Sequence, residues 1–467
     1  MMKIRRKRGG SPLALALIGA GVLLSGACDT NKLLTVYDPA VATPESLANP
    51  SALPTLYAGA IGDFQVAYSG SSDGNNEGVS QVIAAITDEM RNTDTFQTRN
   101  ATDQREQQPV ANGNTSDGAY NNLQRARHST SVTAAALAAV KANDPRIAVM
   151  KSLEGATYIA LGENFCGYIP FSEVVDAVTQ YGTPMTQAQV FAEAVKRFDA
   201  AIAVDGSNML PKVLKGRALL DNGDFAGAAA ALASVPDNYG WNIEHSDNSG
   251  RQWNSFYGIA ASNGRYSVAD KEGINGLAFM SALDPRVPYA GGAVGFDKST
   301  PNYGDLRYPT YGSPLPLATG VEARLIEAEA ALKTGDVTTW LAKLNGLRAS
   351  FPTLILKLAP DWANQIGKTP TTARTLAPLT DPGTADARLM LMFSERAFWL
   401  YTTGHRLGDL RRLVRQYGKT QGQVFPTGPF FKGGAGTNYG SDVTFPIPYN
   451  EQQNPEYTPS SCDVKKA

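Results

Sequence analysis

Three histidines occur in the 467 residues. One of them, His405, sits among crowded acids, bases and aromatic rings in ERAFWLYTTGHRLGDLRR, Glu395 to Arg412. A histidine works as a general acid or base when a reacting proton lies within hydrogen-bond reach and a second group orients the ring. Glu395 and Asp409 could orient it, but no Ser or Cys nucleophile motif such as G-x-S-x-G accompanies them. His128, His245 and His405 lie far apart without ligand spacing, and no C-x-x-C is present, so no metal or cofactor is expected. The competing chemistry is architectural. Where two helices end, His405, Arg406, Asp409 and Arg411 can bond bare backbone carbonyls and one another. The spacing favours this second reading.

Binding chemistry concentrates in a different stretch, about Asp237 to Pro316. It holds twelve aromatic residues in eighty, against 9% for the chain, among many Gly, Asn, Asp and Ser. Flat Trp and Tyr rings cover an apolar ligand face at little entropic cost, and polar neighbours bond a hydroxyl rim. Trp241, Trp253, Tyr257 and Tyr311 are the candidate rings, with Arg251 and Asn254 as polar neighbours. The competing reading for each is a satellite hydrophobic cluster under a long loop.

Elements must hold these residues in place. From Thr186 to Val204 a capping-box pattern (Thr186, Gln189) precedes Val190, Phe191, Ala194, Val195, Phe198, Ala201 and Ile202 on one face, which predicts a helix. Val321 to Lys333 reads likewise. Four stretches pair a small residue with a glycine seven later: Gly155 and Gly162, Gly216 and Gly223, Ala328 and Gly335, Ala397 and Gly404. The first lets helices approach, and the second supplies a positive-φ stop between helix A and helix B. This is the spacing of tetratricopeptide-like helical hairpins. It predicts a mainly α chain with about four hairpins, near 145–175, 187–236, 320–350 and 385–417, separated by long inserts with little β-structure. A short helix is expected to end near Met90, and 94–118 reads as loop.

The chain opens with five basic residues, a twelve-residue apolar run (Leu13–Leu24) and Ser-Gly-Ala-Cys at 25–28, the layout of an export signal over 1–27. A helix of that run would reach about 18 Å, too short to span a bilayer core. Cys28 stands where a lipid would be attached after cleavage; Ser25-x-Ala27 also suits cleavage without lipid. With those five basic residues removed from 42, 37 stand against 43 acidic ones, a net charge of −6. Nucleic acid is therefore not an expected partner. Cys166 and Cys462 are either a disulfide between body and tail or two buried thiols. No linker interrupts 28–467, which predicts a single body.

The tail carries a resemblance. ERAFWLYTTGHRLGDLRR, followed by FPIPYNEQQNPEY, resembles the C-terminal signature of SusD/RagB-like outer-membrane lipoproteins. Glu395, Arg396, Gly404, Arg406, Asp409, Leu410 and Arg412 match its helix pair, and Phe445, Pro446, Ile447, Pro448, Glu451, Asn454 and Pro455 its second part. Thr403 stands where that family often has Glu. The resemblance implies a helical body with four tetratricopeptide-like hairpins that captures glycans, or in some members peptides, at the cell surface. It also implies a TonB-dependent, SusC-like transporter as partner, an N-terminal lipid anchor at Cys28 in the outer membrane, and no catalysis. Two rival functions remain: an exported hydrolase, for which no carboxylate pair stands out, and a tetratricopeptide scaffold that binds protein alone in a bare helical groove.

Overall fold

Apolar spacing and capping residues place the helices. The computed structural model describes residues 50–71, 76–107, 114–175, 178–365, 370 and 372–467; the export signal and Cys28 lie outside them. In chain order the first helices are α1 (Leu53–Ser69), α2 (Val79–Ile86), α3 (Gln97–Asp103), α4 (Thr115–Val140) and α5 (Pro145–Asn164). Then come α6 (Gln187–Val204), α7 (Leu210–Asp221), α8 (Phe225–Leu232), α9 (Gly320–Lys333), α10 (Val337–Ala349) and α11 (Phe351–Leu358). The last are α12 (Trp362–Gln365), α13 (Ala385–Trp399), α14 (Arg406–Tyr417) and α15 (Gln421–Val424). Thr186 caps α6 with Gln189 in a capping box, and Thr319, Asp336 and Thr384 cap α9, α10 and α13. The chain is mainly α, and its described strands form four two-stranded sheets.

Three of the glycine joints are turns. Gly223, Gly335 and Gly404 have φ of 85°, 82° and 82° and separate α7 from α8, α9 from α10 and α13 from α14. A side chain in that left-handed region costs about 1–2 kcal/mol, hence glycine. The fourth joint is different. Gly162 lies inside α5, and among the described residues no helix follows until Gln187. Gly155 and Gly162 instead receive the rings of Phe198 and Phe191 from α6: a Cβ on Gly155 would sit 2.4 Å from Phe198, and one on Gly162 would sit 2.9 Å from Phe191. The seven-residue spacing therefore marks two helical turns of close contact there. Two local expectations also differ. The helix before Met90 stops at Ile86, and 94–118 holds α3 and the start of α4, where capping by Asn114 and Asp117 outweighs a polar composition.

From Leu53 onward the chain forms one unit, whose largest core draws on α1, α2 and α4–α15. The aromatic insert is folded by short antiparallel pairs. β1 (Met90–Asn92) pairs with β5 (Tyr266–Val268), β4 (Gly240–Ile243) with β8 (Leu315–Thr319), and β6 (Tyr289–Val294) with β7 (Pro301–Asp305); β2 (Glu173–Val175) and β3 (Val178–Gln180) form a hairpin outside it. Phe279 and Tyr289 of the insert join Phe398 and Tyr401 in a second, smaller core. Cys166 and Cys462 form a disulfide with Cα atoms 5.0 Å apart, beside a bridge in which Cys166 N–H donates to the Phe445 carbonyl at 2.9 Å.

Candidate functional site

The tail signature is a closed ion-pair network. Arg396 donates to Asp409 at 2.8 Å, and Arg412 donates to Asp409 at 2.7 Å and to Glu329 of α9 at 2.5 and 3.1 Å. Arg406 forks onto Asp88 at 2.7 and 2.8 Å, and Glu395 accepts from Arg286 and Arg348. Each of these side chains is buried or nearly so. The arginines beside Asp409 hold its carboxyl well below the usual carboxylate range against the opposing pull of burial.

His405 is buried, with Nδ1 2.9 Å from the Thr403 hydroxyl and Nε2 3.0 Å from Glu322. Glu395 and Asp409, the candidate orienting groups, are both spent on arginines and bond Arg side chains instead of the ring. The bare carbonyls of the joint are taken by side chains from other elements: Tyr68 donates to Thr403 O at 3.0 Å, and Arg217 to Gly404 O at 3.1 Å. Arg411 donates to the Glu163 carbonyl. Thr403, where Glu is common in the resembled signature, closes the turn by donating to Leu400 O at 2.6 Å. This cluster ties α13–α14 to α1, α5, α7, α9 and α10 and to Asp88, just past the end of α2.

The candidate ligand rings divide. Trp253 stacks on Tyr311 with centroids 4.1 Å apart and planes 29° from parallel, and Tyr257 meets Tyr311 edge-on at 4.8 Å. All three rings are part-exposed. The chain fixes this platform from beneath. Asn254 N–H donates to Tyr311 O at 2.8 Å, its side-chain amide donates to Ser313 O at 2.7 Å, and its Oδ1 accepts from Phe256 N–H at 2.9 Å. Phe256 then stacks on buried Tyr308.

Residues Phe256–Ser262 form a π-helix. In an α-helix Tyr257 and Ser262 would point about 140° apart. The i→i+5 repeat brings both to one side, and both reach Tyr311: the Ser262 hydroxyl lies 3.2 Å from the Tyr311 hydroxyl.

The other candidates are placed otherwise. Asn254 is 0% exposed, with its amide bonded to Ser313 O and Phe256 N–H, so it positions the platform from beneath and does not face a ligand. Trp241 lies in β4 opposite Ala318 and packs against the main core. No ring contact joins it to the platform among the described residues. Arg251 is exposed beside the platform, held at 2.7 Å by Asp63 of α1.

A cavity of about 450 Å³ opens next to the platform, with Ser262 shared between the two. The end of the π-helix and the β6–β7 hairpin line it. Sequence reasoning missed it. Its visible signal was the small-residue run AGGAVG, 290–295, whose meaning as a cavity wall depends on β6 folding over the π-helix.

No protein-family model and no curated protein sequence matches the chain. Solved structures do. A SusD/RagB family protein from Bacteroides thetaiotaomicron aligns with a TM-score of 0.59 at 12% identity, over 86% of this chain and 94% of that one. A SusD-like carbohydrate-binding protein from Bacteroides vulgatus aligns with a TM-score of 0.56 at 14% identity, over 77% and 82%. A laminarin-binding SusD-like protein aligns with a TM-score of 0.57 at 16% identity, over 88% and 100%. The chain has the SusD/RagB fold. Within that SusD/RagB fold the tail signature occupies the joint where α13–α14 locks against the other helices, while the aromatic platform belongs to the insert between α8 and α9.

Proposed function

We propose that this protein is a cell-surface glycan-binding lipoprotein, without catalytic activity, that hands oligosaccharides to a TonB-dependent, SusC-like transporter. The observation that carries the reading is the part-exposed Trp253–Tyr311 stack with Tyr257 at its edge, beside an open cavity. Stacked rings present an apolar face that fits the C–H face of a sugar, and hydroxyls at the rim supply the polar contacts. The carbohydrate-binding and laminarin-binding descriptions of two proteins with this fold support the ligand class. The closed surroundings of His405 support binding without turnover, since a general base needs access to a reacting proton. In this reading the export signal and Cys28 place the chain, lipid-anchored, on the outer membrane, and the transporter removes the captured ligand.

Isothermal titration of the purified mature protein against a glycan panel tests it. Saturable binding without release of reducing sugar is expected, and Trp253→Ala should weaken it at least ten-fold, the equivalent of about 1.4 kcal/mol. Trp241→Ala should leave the affinity unchanged. Heat with peptides and none with any glycan would reassign the ligand to a peptide, and recovery of protein partners other than a barrel transporter would argue for a scaffold.

A further inference from the structure

The cavity beside the platform constrains what the ligand carries, an inference that rests on the glycan-binding reading. Half of its fourteen lining residues are glycine or alanine, so the wall contributes little volume of its own. The glycines cannot be replaced freely: a Cβ on Gly291 would sit 2.6 Å from the Asn302 carbonyl, and one on Gly295 would sit 2.6 Å from Thr93. At roughly 30 Å³ per water, the space equals about fifteen waters, which is the scale of a ligand group and well above that of a single ion.

Its charge is one-sided. Lys298 is the single charged residue among those lining it. Lys298 is exposed and forms no ion pair or side-chain hydrogen bond among the described residues. The carboxylate next to it, Asp297, is turned away, to Lys432 at 2.8 Å and to the Thr300 hydroxyl at 2.8 Å. Asp94, the next acid on that side, is held by Arg99 and Arg265. The Lys298 charge is therefore left for something outside the protein. Its backbone is left-handed (φ 60°), a conformation that a residue with a side chain adopts at a cost. A chain with an acidic balance elsewhere keeps, among the described residues, one unpaired cation in this wall, and Ser262 of the same wall lies 3.2 Å from the hydroxyl of Tyr311 in the stacking platform.

The geometry points to an acidic oligosaccharide: sugar rings stack on Trp253 and Tyr311, and a carboxylate or sulfate on a neighbouring ring enters the cavity and pairs with Lys298. Phe296, 41% exposed and backed at 3.8 Å by the Arg265 guanidinium, gives that ring a second apolar wall.

Matched probes separate charge from backbone. Oligogalacturonate is compared with its methyl ester and dextran sulfate with dextran, alongside neutral laminarin oligosaccharides, by titration of the full mature protein. At low salt, at least one acidic probe should bind roughly five- to ten-fold more tightly than its neutral match. Which pair shows the difference identifies carboxylate or sulfate. Lys298→Ala or raised salt should erase the difference, and Lys298→Arg should retain it. Neutral probes binding as well as acidic ones, with Trp253→Ala still weakening both, would overturn the acidic ligand and leave the glycan-binding reading standing. An acidic preference that survives Lys298→Ala would overturn the role of Lys298. No binding of any glycan, acidic or neutral, would overturn both readings.

Discussion

Asp409→Asn isolates the claim that the tail signature holds helices together and performs no reaction. Asn keeps the shape and removes the charge. Asp409 receives Arg396 at 2.8 Å and Arg412 at 2.7 Å, with side chains at most 5% exposed. At an effective dielectric near 20, each contact is worth about 6 kcal/mol of gross attraction. Taking the ions out of water returns several kcal/mol per ion, so the pair itself is worth far less than that sum. The variant, however, strips the carboxylate from two buried guanidiniums that then repel, and breaking such a pair costs about 3–5 kcal/mol. Urea unfolding followed by tryptophan fluorescence should show the midpoint falling by that amount divided by an unchanged slope. The sign of the pH dependence adds a second check. The Asp409 pKa is depressed, so its stabilisation is present above the unfolded value near 3.8 and is lost as pH falls through the lower folded value. The gap between wild type and variant should therefore close in acid. Glycan affinity of the folded variant should be unchanged, because none of Trp253, Tyr257 or Tyr311 bonds the network. A loss below about 1 kcal/mol, combined with loss of binding or of any turnover, would refute the structural role.

Three further substitutions test the fold. Burial pushes the Glu89 carboxyl up to about 8, against the Thr402 N–H that donates to it at 2.8 Å. A raised acid stabilises fully below its unfolded value near 4.5 and loses that contribution as pH rises through about 8. Melting temperatures should therefore fall across that window in wild type and fall less in Glu89→Gln. Gly155→Ala should destabilise by about 1–3 kcal/mol, since its Cβ would press into the buried Phe198 ring. Gly59→Ala, in α1 with nothing within 4 Å, should instead stabilise by up to about 1 kcal/mol. Differential scanning calorimetry ranks the two, and the same sign for both would contradict the close α5–α6 contact.

Local signals were legible wherever one residue's conformation decided the outcome. Gly223, Gly335 and Gly404 had to sit in turns because a side chain is penalised there, and Thr186 with Gln189 announced the start of α6. The same reasoning failed at Gly162, where an identical spacing serves a helix–helix contact, because spacing does not say which partner approaches. In the insert, composition showed that aromatics gather but not which of them face outward. Phe256, Tyr266 and Tyr308 went to the main core and Phe279 and Tyr289 to the second, while Trp253, Tyr257 and Tyr311 stayed part-exposed.

By itself, then, the sequence determined a mainly helical chain of glycine-jointed pairs and a tail whose charges suit helix ends, since helix periodicity, capping and left-handed backbone are properties of neighbouring residues. The tertiary structure decided what could not be local. It settled that Asp409 belongs to Arg396 and Arg412 and not to His405, and that Asn254 supports the rings from below. It also placed the 290–295 run across from Ser262 to leave a cavity that has, among the described residues, one unpaired cation in its wall. Each of these depends on groups brought together from distant parts of the chain, and their attraction or exclusion exists only once the helices and strand pairs have packed.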